Sequence, residues 1–228
     1  LGKLFEDKSL RDKTYVFRDR TGAGSLLAER LVGVPFPEGI VLAIPAGGVP
    51  VAVEIARRVL LPLDLMLVRK VQIPGNPEAG FGAVGPDGEV IFNDALLRRL
   101  KLTEEEIEEQ IAKARRVIEE RNQVFRGGRP FPSIRDRTAV LVDDGLASGY
   151  TMTEAVRFLQ KRKVARILIA VPTAPEESVN RLLPLVEAIY CLNVRTRYPF
   201  AVAEAYENWY DLDDQEVIAR LKSLSAET

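Results

Sequence analysis

The chain has 228 residues, 46% of them hydrophobic, which suffices for a buried core in one large α/β domain or two small ones. Lys and Arg number 32 against 33 Asp and Glu, a formal charge of −1 that argues against a protein built to coat nucleic acid or an anionic membrane. Histidine is absent, so Ser-His-Asp, Cys-His and His-ligated zinc chemistry are excluded, leaving carboxylates, cations, backbone amides or a metal held by oxygen.

In chain order, the opening LGKLFEDKSLRDK has no apolar signal-peptide core, and no apolar run approaches the roughly 18 residues of a membrane span. A cytoplasmic location is the expectation. The charged FRDRTGAG leads into SLLAERLV (25–32), an amphipathic helix stopped by Gly33. GIVLAIPAGG is an apolar strand entering a Pro/Gly turn, and VPVAVEIARRVL continues with helical spacing at Val51, Ile55, Val59 and Leu60. LDLMLV (63–68) reads as a buried strand ending at Arg69 and Lys70. The Gly/Pro-rich stretch to about residue 88 is a long loop or a small hairpin, and EVIFN (89–93) a short strand.

Residues 103–125 carry the clearest helix, with Thr103 and Glu106 as a capping box, Ile107, Ile111, Ala114, Ile118 and Phe125 on one face, and Gly127-Gly128 as the stop. Strand and helix then alternate through TAVLVDD, YTMTEAVRFLQKR, ARILIAVP, a helix near 175–183 and VEAIYCL. Cys191, the single cysteine, sits in AIYCL and reads as a buried, inert thiol. The tail clusters aromatics before a last helix capped near Asp213. Such alternation indicates a parallel twisted sheet flanked by helices, with ligands bound beyond the carboxyl ends of its strands near a switch in strand order.

The stretch VLVDDGLASGYT (140–151) lies at such an end. Gly145 and Gly149 permit a tight turn and close approach of amides, and the helix starting near Gly149 points its N–H groups and positive dipole end into that turn. Ser148 and Thr151 add hydroxyls, so the turn suits a phosphate monoester. Asp143 and Asp144 would repel bare phosphate. A sugar phosphate resolves the conflict, with phosphate in the turn and ribose hydroxyls donating to the acids. The bland alternative is a helix N-cap with a spare acid. A P-loop needs Gly-Lys-Ser/Thr, which the chain lacks, and a dinucleotide fold places its acid ~20 residues after the glycines rather than before them.

VLVDDGLASGYT resembles the phosphoribosyl pyrophosphate signature of the type I phosphoribosyltransferases. The resemblance implies that Asp143 and Asp144 hold the ribose 2′ and 3′ hydroxyls, directly or through magnesium. The backbone of Ala147 to Thr151 (Ser148, Gly149 and Tyr150 between them), with the Ser148 and Thr151 hydroxyls, would bind the 5′-phosphate, and Gly145 joins the substrate-binding residues. IPAGGVPVA (44–52) is similar to that family's pyrophosphate loop, with Ala46, Gly47 and Gly48 at the leaving group and a strained, often cis, peptide expected at Ala46–Gly47. Closely similar sequences often carry a basic residue where Ala46 stands. Arg69 and Lys70 match the cations that open the family's mobile catalytic loop, here 71–88. The resemblance implies one domain, with a core over about 15–195 and a small hood from the N-terminal segment and the tail at about 196–228. Its partners would be 5-phosphoribosyl 1-pyrophosphate (PRPP), Mg2+ and a nucleobase-like acceptor, with no nucleic acid or membrane, and a homodimer stays open. The competing classes are a non-catalytic sensor of PRPP or a nucleotide, and a hydrolase for which no base is evident.

Overall fold

A computed structural model describes residues 2–225, the side chains of Pro77, Glu78 and Ser225 apart. The elements in chain order are β1 (Lys3–Phe5), α1 (Arg20–Leu31), β2 (Ile40–Ala43), α2 (Gly48–Val59), β3 (Leu63–Leu65), β4 (Arg69–Ile73), β5 (Asn76–Val84), β6 (Val90–Phe92), α3 (Asp94–Leu97), α4 (Glu104–Arg126), β7 (Thr138–Val142), α5 (Tyr150–Lys161), β8 (Arg166–Pro175), α6 (Glu176–Leu182), β9 (Ala188–Arg195) and α7 (Asp214–Ser225). They pack into two compact units. One takes the chain up to Leu65 and again from Ile134 onward, and the other is Met66–Ser133.

The first unit is built on a six-stranded sheet in the order β1-β9-β8-β7-β2-β3, with every pair parallel. Every residue of β2, β7 and β9 is buried, as expected for strands covered on both faces. From β2 the chain passes through α2 to β3 on one side, whereas from β7 it passes through α5 to β8 on the other. Right-handed crossovers in opposite directions place α2 and α5 on opposite faces. Their N-termini therefore emerge side by side at the carboxyl ends of β2 and β7, the switch point of the sheet.

Helix α1 begins at Arg20, a turn and a half before the sequence spacing suggests. Asp19 caps it by accepting the Gly22 N–H, and Gly22 and Gly24 dilute the apolar signal of that first turn. Gly24 has a packing reason, because a Cβ there would come within 2.8 Å of Val51 O on α2. Residues before α1 pair with the tail: Phe17 bridges Tyr206, Glu207 N–H donates to Phe17 O (2.8 Å) and Asn208 N–H donates to Arg18 O (2.9 Å). The segment before α1 and the tail thus pair with each other. Asp213 caps α7, and Arg220 from that helix donates to Thr21 Oγ1 (2.9 Å).

In the second unit β4, β5 and β6 form an antiparallel sheet, the hairpin alternative for the Gly/Pro-rich stretch. The LDLMLV strand is shorter than expected. It ends at Leu65, whose N–H is taken by the Asp64 carboxylate (2.7 Å). Helix α4 starts on the expected Thr103–Glu106 capping box and stops at Gly127, whose φ of 60° favours glycine.

Candidate active site

Two turns meet at the switch point. The first runs from Ile44 to Gly48 and stays tied to β7, since Ile44 N–H donates to Val142 O (2.8 Å). The peptide Pro45–Ala46 is cis, one bond earlier than the sequence suggests. Ala46 O already accepts the Val49 N–H (3.1 Å) and Gly47 has φ −58° and ψ −36°, so Ala46–Gly47 belongs to the first turn of α2. Crowding dictates the glycines. A Cβ on Gly48 would come within 2.7 Å of Val142 O, and one on Gly47 would collide with the Asp144 carboxylate.

The second turn, Gly145 to Gly149, is held from α6. Ser178 Oγ donates to Ala147 O (2.7 Å) and Arg181 Nη1 to Ser148 O (2.6 Å). A planar trans peptide directs its N–H opposite its C=O. Tying these carbonyls to α6 therefore turns the Ser148 and Gly149 N–H groups away from that helix. Gly149 caps α5 at φ 71° with no side-chain hydrogen bond to the first turn, so the amides and dipole of α5 add to the same positive end. Ala147, Ser148, Tyr150 and Thr151 lie on the exposed side of the turn.

The acid pair stands between the turns. Asp143 Oδ1 accepts the Asp144 N–H (2.9 Å). Asp144 Oδ2 accepts Arg20 Nε (2.8 Å), and the two side chains are only 14% and 8% exposed. Arg20 also donates from Nη1 to Tyr210 O (2.8 Å) and lies 3.9 Å from the centre of the Trp209 ring. Tyr206 Oη donates to Asp144 O (2.5 Å). Burial, and then the charge of Asp144, push the Asp143 carboxyl well above the usual range. The Tyr206 phenol is pushed up by burial and by Asp144, so it stays a donor.

Asp143, Asp144, Ala46, Gly47, Gly48 and the 145–151 turn thus come together on one rim. Arg69 and Lys70 open β4 in the second unit instead of closing the preceding strand. They face Val84 and Ala83 across the ladder, and the Lys70 stem covers Gly80. The sequence does not single out Ser178 and Arg181, and Arg20, Tyr206 and Trp209 fall in the two segments expected to form the hood, not among expected partners of the acid turn. The aromatics of the tail divide between roles. Tyr206 is core, Trp209 covers Arg20, and Tyr198 is 68% exposed. Cys191 is fully buried, and burial pushes its thiol up to about 12.

Among the described residues no three acidic or Cys side chains gather as metal ligands. A cation at the acid pair would complete its shell with ligand and water oxygens, the habit of magnesium. Among the described residues, no helix is long and apolar enough to cross a membrane.

Residues 23–182 match the phosphoribosyl transferase domain. Two Mycobacterium tuberculosis relatives, Rv0571c and MT0597, carry the name phosphoribosyl transferase as a provisional assignment. Each is 36% identical over 206 residues, covering 90% of this chain and 46% of the relative. The chain therefore spans about half the length of the curated relatives it matches. The crystal structure of TT1426 from Thermus thermophilus shares 39% identity and superposes with a TM-score of 0.80, covering 91% of this chain and 98% of that one. With both turns, the acid pair and Arg69-Lys70 inside the matched segment, the chain belongs to the phosphoribosyl transferase domain family.

Proposed function

We propose that this domain transfers the phosphoribosyl group of PRPP to a nitrogen nucleophile, a nucleobase in the first instance, with release of pyrophosphate. The C1–O bond to pyrophosphate breaks, its electron pair leaves with pyrophosphate, and the C1–N bond forms. The observation that carries this reading is the 147–149 turn, whose carbonyls are tied to α6 beside two adjacent acids. That arrangement suits a 5′-phosphate on the amides of Ser148 to Thr151 and ribose hydroxyls on Asp143 and Asp144. The uncapped start of α2, with Ala46, Gly47 and Gly48, would receive pyrophosphate. Each well-aimed donor to charge developing on the leaving group lowers the barrier by about 2.7–4 kcal/mol.

Magnesium fits the same site. Asp143 and Asp144 would hold it through ribose hydroxyls or water, and Asp143, raised by burial and by its neighbour, gains from a nearby cation. When bound, the ion neutralises charge on pyrophosphate oxygens. The chain's own share is to orient the sugar between the turns and to supply amide donors.

One arrangement favours a second reading, a PRPP sensor without turnover: Ala46 brings no cation to the first turn, and Asp144 is already paired with Arg20. Incubation with PRPP, magnesium and a panel of bases separates the readings. Base-dependent pyrophosphate release is expected. Tight PRPP binding without release in the presence of any base would favour the sensor.

A further inference from the structure

Strand β9 ends on a residue with no role in the proposed reaction so far. The Arg195 side chain is 6% exposed, yet its Nε and Nη1 have no hydrogen-bond partner among the described residues. Nη2 reaches Glu204 Oε2 at 3.4 Å, looser than a charge-assisted hydrogen bond of about 2.7–2.9 Å. The Phe200 ring stands 5.8 Å from the guanidinium. Burying unpartnered donors of a charged group costs stability, and a protein keeps such a group where something other than stability is served.

The position of the set is informative. Arg195 pairs in register with Pro175, at the carboxyl end of the sheet, the end that holds the acid pair. Glu204 lies in the short 3-10 turn Val202–Ala205, and that turn touches the acid turn: a Cβ on Gly145 would come within 2.5 Å of Val202 Cγ1. Arg195, Phe200 and Glu204 all lie beyond the segment shared with the family.

We infer that Arg195 and Glu204 are the specificity-determining pair for the acceptor, and that the acceptor is a heterocycle presenting a ring carbonyl beside a ring N–H. This rests on the phosphoribosyl-transfer reading and names its acceptor class. The unpartnered Arg195 donors meet the carbonyl oxygen, the Glu204 carboxylate accepts the ring N–H, and Phe200 supplies an apolar face. Both nitrogens are sealed from solvent, so binding of the acceptor requires the tail around Phe200 to move aside. An edge with an amino group in place of the carbonyl sets donor against donor and leaves buried groups unpaired, the situation in which enzymes discriminate most strongly.

The test measures kcat/KM for hypoxanthine, guanine and adenine with PRPP and magnesium, in the parent, Arg195→Met and Glu204→Gln. The parent is expected to favour the two oxo bases by at least ~100-fold, a floor well below the ~10⁴–10⁵ that hydrogen-bonding sites reach. Arg195→Met should lose most of that preference while its KM for PRPP stays unchanged and its Tm is equal or higher, because unpaired buried donors are gone. Glu204, less enclosed, gives the same selectivity readout should Arg195→Met fail to fold. Preference for adenine in the parent, or undiminished oxo selectivity in both variants, overturns the inference. PRPP binding without transfer to any oxo base overturns it too, while leaving the PRPP site intact. Absence of PRPP binding in the parent overturns the reading beneath it.

Discussion

Asp144 and Arg20 form a shielded ion pair between residues 124 positions apart, so no local pattern announces it. Removing one partner from such a pair strands the other charge. Arg20→Met is therefore expected to destabilise the fold by about 3–5 kcal/mol in urea unfolding, with most of the loss restored in Arg20→Met/Asp144→Asn. Equal stability of parent and single variant would show that the link carries no weight. Cys191 invites a simpler check. With its thiol pushed up to about 12 by burial, it should resist iodoacetamide at pH 8 in the folded protein and react on unfolding. The place of the acid pair was legible, because the apolar run 140–142 stops at two adjacent like charges. Arg20, Tyr206 and the α6 donors were not, because each acts by folding back onto a distant turn.

At the scale of elements, caps were the readable signals and short or glycine-bearing segments the hidden ones. Helix α4 follows its capping box and terminal glycine, whereas β1 has too few residues to show alternation. The Asp19 cap explains the early start of α1, and its carboxyl is held below the usual range chiefly by the Gly22 N–H. A lowered folded pKa gives stability that is fully present above the unfolded value, about 3.9, and is lost as pH falls through the lower folded value. Asp19→Ala should cost about 1 kcal/mol at pH 7 and converge with the parent in acid, as followed by thermal unfolding across pH. The α6 clamp makes a separate forecast. Ser178→Ala should weaken ribose 5-phosphate binding several-fold in calorimetry with little change in Tm, since only one carbonyl tether is lost. Unchanged affinity would mean that the turn keeps its shape unaided. At Gly149 any side chain meets a φ of 71°, so Gly149→Val should impair phosphate binding more than Ser178→Ala.

Across the whole molecule, alternation of strands and helices was enough to anticipate a parallel sheet flanked by helices, at whose carboxyl rim a ligand is expected. It could not give the strand order or the separate packing of Met66–Ser133, which depend on long-range contacts. The order β1-β9-β8-β7-β2-β3 matters because it puts the starts of α2 and α5 side by side with the acids between them. Calorimetric titration of PRPP with magnesium into the parent and into Asp143→Asn/Asp144→Asn tests that arrangement most directly. Saturable binding by the parent and a loss of about 100-fold or more in the variant, with circular dichroism unchanged, is the expected result. Equal affinity in the two proteins would place the sugar phosphate elsewhere and contradict the site.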